Sequence, residues 1–424
     1  MKNLYIANRE SCVCILRRKR VVVSGSKGCK SSGSCSVKSK PVAEAKQRSS
    51  SKMSAISTSM VQFSVNLFQN IPNNSTSNVF FSPLSVFTAL ALTLGGAADD
   101  TADQIAAGLG INTNDECVHE SLGMLQSEVI ASDGVIVNVA NKLFTKEGKQ
   151  LKQAFLDLAK TAYKSNVEAL DFAAKSDESR QIINKWVEAE TNDKIKDLIP
   201  EGTIDRDTIM CLVNAIYFKG SWKDMFDQKN TRKENFFVTP EKSVEVDMMN
   251  RNGEYGFGWD GDLEVSILEL PYNKEEISMF LVLPSYADGF PKLISQLTAD
   301  FFTKATRNLH KTEVNVAIPK FKLEETINLD KILTKVGIND LFTRGKANLS
   351  GIVDTGDLYV SKFVHKAAIE VNEEGSEAAA ASAVTFASFS MPPQFTADHP
   401  FLFFIRHNKS GVILFQGAVT NPLE

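Results

Sequence analysis

Five histidines are the first candidates for acid–base chemistry: His119, His310, His365, His399 and His407. None stands in an H-E-x-x-H, and neither a G-x-S-x-G nor a Walker-type phosphate loop is present. Gly256-Phe257-Gly258-Trp259-Asp260-Gly261 does match G-x-G-x-x-G. The residues after it, Leu263 to Leu270, have the pattern of a strand, not of a helix N-terminus that would hold a pyrophosphate. The glycines therefore read as a turn between two strands. Cys12 and Cys14 have no histidine nearby, so no metal site is expected there. Cys211 lies inside an apolar run and reads as an inert buried thiol. These absences predict a protein that is not an enzyme and that uses no metal or cofactor.

One segment has a pattern with a use. Glu373-Glu374-Gly375-Ser376-Glu377-Ala378-Ala379-Ala380-Ala381-Ser382-Ala383 follows a strong strand pattern, and Val384 to Met391 and Pro392-Pro393 come next. Roughly twenty residues thus join two strands with no element of their own, and loops of that length are usually functional or disordered. Alanine and serine carry little bulk, so the segment could enter between two strands without overpacking. Set as a strand, it sorts by period two. Ser376, Ala378, Ala380, Ser382, Val384 and Phe386 share a face that is wholly small or apolar. Glu377, Ala379, Ala381, Ala383, Thr385 and Ala387 share the other, which holds the one charge. Composition leaves two readings open, a loop able to become a buried strand and a low-complexity alanine linker.

The rest of the chain must position that loop. Residues 1–55 carry 13 Lys or Arg against 2 Asp or Glu, a net of +11, which leaves 34 basic against 49 acidic groups, a net of −15, for the remainder. A body that acidic is a poor general partner for nucleic acid. No apolar run reaches the ~18 residues of a membrane span, so no membrane partner is expected. Of the six Cys, Cys12, Cys14, Cys29 and Cys35 lie in the tail, too sparse a set for a disulfide scaffold. The tail is rich in Ser, Lys and Gly and is expected to be disordered. Cys12 to Leu16 is too short for the apolar core of a signal peptide, Arg17 to Arg20 reads as a solvated basic arm, and Met53 is an alternative start. Sequons at Asn73, Asn74, Asn348 and Asn408 matter only on the secretory route.

Helical patterns come first: Met60 to Ile71, Leu84 to Leu94, Leu151 to Tyr163, and a stretch holding Ile182, Ile183, Trp186 and Val187. Ser82 is an N-cap candidate with Pro83 behind it, and Leu84 to Leu94 is apolar almost all round, so this helix should be deeply buried. Asn78 to Phe81 and Val135 to Phe144 read as strands, and Ile209 to Phe218 as a central strand covered on both faces. After residue 235 strands dominate: Val265 to Leu270, Ser278 to Leu283, Glu313 to Ile318, Phe363 to Val371, Phe401 to Arg406 and Val412 to Ala418, with one helix at Asn328 to Val336. Without regular βα alternation the fold class is α+β.

Ordered motifs along residues 56–424 resemble the serpin family, in particular its inhibitory arthropod-type members. They are Asn78-Val79-Phe80-Phe81-Ser82-Pro83-Leu84-Ser85, Leu212 to Trp222, Leu268-Glu269-Leu270-Pro271-Tyr272, Ile318-Pro319-Lys320-Phe321, Val364-His365-Lys366-Ala367, His399-Pro400-Phe401 and Val412 to Gly417, with the alanine-rich segment between. The resemblance implies about nine helices, a five-stranded sheet, two further sheets and an exposed reactive-centre loop at about 373–393. It implies a monomer that forms a covalent complex with a target serine protease. The protease cuts the loop, stays bound as an ester, and is carried along as the loop inserts into the sheet. By the same resemblance Glu373, Glu374, Gly375, Ser376, Glu377, Ala378, Ala379, Ala380 and Ala381 form the hinge. Ser82, Ser85, Asn214 and His365 form the shutter beneath the sheet, and Trp222 and Glu373 the breach where insertion starts. The family spacing counts 17 residues from Glu373 to the cleaved bond, Phe389-Ser390, whose aromatic suits a chymotrypsin-like slot. Secretion is the expected location, with the cytoplasm as alternative. A non-inhibitory serpin acting as carrier, chaperone or store, and an inhibitor of cysteine proteases, are the alternative functions.

Overall fold

The computed structural model describes residues 40–424 apart from 73, 113–116, 355–357 and 375–390. α1 (Lys40–Asn70) sends Ile56, Met60, Phe63 and Leu67 into the core, the spacing of a single helical face. It starts well ahead of Met60, where the apolar helical pattern begins. Pro41 in the first turn and the good helix formers from Ala43 to Arg48 account for the earlier start. β1 (Val79–Phe81) leads into α2 (Pro83–Leu94), every residue of which is buried. The Ser82 side chain caps α2 by accepting the Ser85 N–H. α3 (Asp99–Leu109) and α4 (Val118–Ile130), which the sequence pattern did not announce, come next. β2 (Val135–Lys146), α5 (Gln153–Tyr163), β3 (Val167–Leu170), α6 (Ser176–Glu190) and β4 (Met210–Gly220) complete the helical half.

Strands then dominate. They are β5 (Arg232–Thr239), β6 (Lys242–Asp260), β7 (Val265–Pro271) and β8 (Ile277–Pro284). After the short α7 (Phe290–Gln296) and α8 (Ala299–Arg307) come β9 (His310–Pro319), β10 (Phe321–Asn328) and α9 (Leu329–Lys335). β11 (Lys362–Val371), β12 (Gln394–Thr396), β13 (Phe401–His407) and β14 (Ile413–Val419) close the chain. Nine α-helices among the described residues, segregated from most strands, make the expected α+β architecture.

The five-stranded sheet runs β10-β11-β4-β2-β3, so the apolar strand β4 is central, as its composition demands. Period two divides β4 between two cores. Met210, Leu212, Ile216 and Phe218 join the large core under α2, while Cys211, Val213, Ala215 and Tyr217 join a smaller one with Ile183 and Val187 of α6. Asn214 falls on the α2 side. The other strands form one hydrogen-bonded network of nine, because β6 serves two layers. Its Lys242 to Phe257 stretch pairs with β5 and β9, and its Gly256 to Asp260 end pairs with β7. The third expected sheet, β5, β9 and β12 around β6, is thus continuous with the second through this strand.

Gly256 and Gly258 lie inside β6, and the turn itself begins only at Gly261. A Cβ on Gly258 would lie 2.8 Å from Leu309 Cδ2, so this glycine admits a close neighbour. Gly417 of β14 is under a stricter limit. A Cβ there would lie 2.5 Å from the Phe403 ring and 2.9 Å from the Val79 carbonyl oxygen. Gly417→Ala is expected to cost about 1–3 kcal/mol by overpacking, read as a lower urea midpoint at unchanged slope. An unchanged midpoint would show that β1 and β14 separate freely.

Candidate functional site

β11 and β4 run parallel and side by side, from Lys362 opposite Cys211 to Ile369 opposite Phe218. In that register His365 lies directly opposite Asn214. Both side chains point toward the N-terminus of α2, whose buried cap brings Ser82 and Ser85. His365 Nε2 accepts the Ser82 N–H at 3.1 Å, so Nδ1 carries the ring proton and donates to Asn214 Oδ1. The Asn214 amide faces Ser85 O at 3.2 Å, Ser85 Oγ and Asn141 Oδ1. Ser82 Oγ donates to Leu414 O at 2.7 Å. Ser82, Ser85, Asn214 and His365 are therefore brought together, with the His365–Asn214 side-chain bond crossing directly from β11 to β4.

His365 is fully buried, and burial holds its pKa at about 3, well below the usual imidazole range, against the opposing bond to Asn214. The cluster is a neutral network, and each member satisfies a neighbour that burial would otherwise leave stranded. Asn141 on β2 is a member that the sequence did not single out. Cys211, on the opposite face of β4, is buried and its thiol is pushed up to about 12 by burial, the chemistry of an inert group. His119 and His407 sit elsewhere, bonded to Tyr163 Oη at 2.7 Å and Ser410 Oγ at 2.8 Å.

At the C-terminal end of β11 a second cluster pins the chain as it leaves the sheet. Trp222 Nε1 donates to Asn372 O at 2.9 Å, and the indole stacks on Tyr272 with centroids 4.6 Å apart. Glu373 is 3% exposed. Its Oε1 accepts from Thr231 Oγ1 at 2.8 Å, its Oε2 meets Lys320 Nζ at 2.9 Å, and its carbonyl accepts from Phe226 N–H at 3.2 Å. Burial pushes the Glu373 pKa upward, but the bonds from Lys320 and Thr231 outweigh it and hold the carboxyl below its usual range. Trp222 and Glu373 thus meet the same short stretch of chain. Thr231, Lys320 and Tyr272 join them. Glu374 is exposed, its N–H donating to Asn372 Oδ1 at 3.1 Å. The remaining hinge positions, Gly375, Ser376, Glu377, Ala378, Ala379, Ala380 and Ala381, lie outside the described residues, as do Phe389 and Ser390. The chain re-enters the description at Met391, which is 86% exposed, just before β12 at the edge of the other sheet.

Comparison with known proteins agrees with this geometry. Residues 58–422 match a family model described as serpin (serine protease inhibitor). Human leukocyte elastase inhibitor is 39% identical over 380 residues, which cover 87% of this chain and 100% of that protein. Iris of Ixodes ricinus is 38% identical over 374 residues, covering 86% and 98%. Among solved structures, uncleaved ovalbumin superposes with a TM-score of 0.81 at 31% identity, covering 87% of this chain and 100% of that one.

The buried histidine makes a pH prediction. Between pH 6.5 and about 3 the unfolded chain binds a proton at His365 that the folded chain refuses. Its contribution is complete above pH 6.5 and declines by about 1.4 kcal/mol per pH unit as pH falls below it. His119 and His407, also lowered by burial, add to the slope. Thermal unfolding of the wild type should therefore fall more steeply from pH 6.5 to 4.5 than that of His365→Gln. Parallel curves would show that His365 contributes nothing to the acid sensitivity.

Proposed function

The chain belongs to the serpin family of serine protease inhibitors and is not an enzyme; from that premise we propose that it is a suicide inhibitor of chymotrypsin-like serine proteases. The protease's serine oxygen attacks the Phe389 carbonyl carbon. The Phe389–Ser390 bond breaks, Ser390 leaves as a protonated amine, and Phe389 is held as an ester. The loop then enters the sheet between β11 and β4 and carries the protease with it.

The observation that carries this reading is the parallel β11–β4 pair. A chain leaving the end of β11 and reversing would run antiparallel to both strands, so one parallel ladder would be exchanged for two antiparallel ones. The segment that comes directly after β11 is the alanine-rich one. Ser376 to Phe389 spans 14 positions, or about 46 Å at ~3.3 Å each. At ~1 kcal/mol per ladder bond the gain is on the order of 10 kcal/mol. About 5.5 kcal/mol already moves a two-state balance from 1:99 to 99:1, so insertion is effectively irreversible. The family likeness also leads us to propose an extracellular site of action, tested by recovery from the medium rather than the cytosol of producing cells.

Gel-stable complexes with chymotrypsin are expected, and N-terminal sequencing of the released peptide should begin Ser390-Met391-Pro392. A peptide starting elsewhere sets a different register. Phe389→Arg should shift inhibition from chymotrypsin to trypsin without loss of folding; unchanged preference would rule Phe389 out as the residue before the cut. Ser376→Arg should turn the inhibitor into a substrate. Burying a guanidinium is unfavourable unless it is paired, and even ~3 kcal/mol on the insertion barrier slows it about 150-fold. Deacylation then wins. Complexes at unit stoichiometry from this variant would mean that insertion does not pass through Ser376.

A further inference from the structure

A cavity of about 340 Å³ opens between α1, α8 and the turn that joins β13 to β14. It shares no residue with the shutter or the breach. Arg307 at the end of α8 and Arg406 on β13 both line it. Arg406 is partly buried. Neither guanidinium has an acceptor within hydrogen-bond or ion-pair distance among the described residues. Asp300, the carboxylate in the wall, is held by Lys304 at 2.7 Å. Glu269 attracts Arg406 only through space, its Oε1 being occupied by the Ser278 hydroxyl at 2.8 Å.

Arg307 is exposed, so only Arg406 is partly withdrawn from water; a guanidinium cannot shed its proton, and partial burial without an acceptor is unfavourable. Burial lowers the pKa of Arg406, and repulsion from Arg307 adds to this against the pull of Glu269. The cavity is also kept open at this point. Gly411 stands at φ +78°, and a Cβ there would come within 3.1 Å of Arg406 Nη2. Any side chain at that position would crowd the fork. Two like charges share a space large enough for a small molecule, with hydroxyl groups of Ser54 and Thr303 in the same wall.

We propose that this cavity binds a tetrahedral oxyanion, a phosphate or sulfate group, gripped by Arg307 and Arg406. Two positive charges match a dianion, and phosphate carries about −1.5 to −2 near neutral pH. The planar forks of two arginines offer paired N–H donors at the spacing of its oxygens. A free ion and an ester share this chemistry.

The test tracks the unfolding temperature of the full-length protein in chloride, inorganic phosphate, inorganic sulfate, glycerol phosphate and glucose 6-sulfate at matched ionic strength. A saturable rise with phosphate or sulfate over chloride is expected. Arg406→Gln and Arg307→Gln should each flatten it while still forming protease complexes. Phosphate and sulfate also stabilise proteins generally by exclusion from the surface, but that effect would persist in both variants. Esters acting as well as the free ions identify an ester as the occupant, and weaker esters identify the ion; both support the site. If Arg406→Gln fails to fold, isothermal titration of phosphate into wild type and Arg307→Gln replaces the comparison, with heat expected from the wild type alone. A rise equal to that in chloride, a rise retained by the variants, or equal heats in that titration overturns the proposal.

Discussion

The parallel contact between β11 and β4 is the constraint on which the rest of the molecule turns. Three other strands of the sheet and the helices packed against it arrange that these two lie side by side, although the chain that comes after β11 is suited to lie between them. The His365–Asn214 bond is the point where the contact is made chemically specific, because it joins the two strands across their shared edge. Separating the strands requires that bond to break while Ser82, Ser85 and Asn141 remain with their own strands and helix. A small, fully satisfied polar network in a large apolar core is well suited to such a role. It opposes gradual loosening, since any half-open state strands several buried polar groups at once. At the exit of β11, Trp222, Thr231 and Lys320 hold Asn372 and Glu373 in place, so the chain is restrained where it leaves the sheet.

Neutrality matters to this arrangement. Burial keeps His365 uncharged, with its proton on Nδ1, and the network has acceptors and donors placed for that tautomer alone. Glu373 sits at the other extreme, a carboxylate kept charged by Lys320 and Thr231 at the margin of the sheet. One cluster is therefore weakened by acid through protonation of an imidazole, the other through loss of a carboxylate charge. Both changes act on the same pair of strands.

Much of this was legible in the residues. β4 announces itself as an unbroken apolar run, and α2 as a helix apolar on every side with Ser82 and Pro83 at its start. Asn214 is the polar residue that interrupts the β4 run, and it is named through the family resemblance. Asn141 has the same role on β2, but polar residues occur all along that strand, so nothing marked it. α3 and α4 begin at Ala98 and Cys117 without a side-chain cap, and the acidic residues of their first turns, Asp99, Asp100 and Glu120, are a weaker signal than a cap. The roles of Thr231 and Lys320 depend on where distant segments meet Glu373, which no local pattern encodes. The first turns of α1 are charged and polar, so only its later turns, from Met60, carry an apolar helical pattern.

The proposed trapping by loop insertion requires β11 and β4 to part. Tyr217 and Ala368 face each other across that contact, so Tyr217→Cys with Ala368→Cys places a disulfide directly over it. The decisive measurement is the number of protease molecules trapped per inhibitor, before and after reduction. The oxidised double variant should be cleaved in its loop without forming covalent complexes, and reduction should restore trapping to the level of the wild type. Full trapping by the oxidised, verified disulfide form would contradict this mechanism, because the sheet would then have had no need to open at this place.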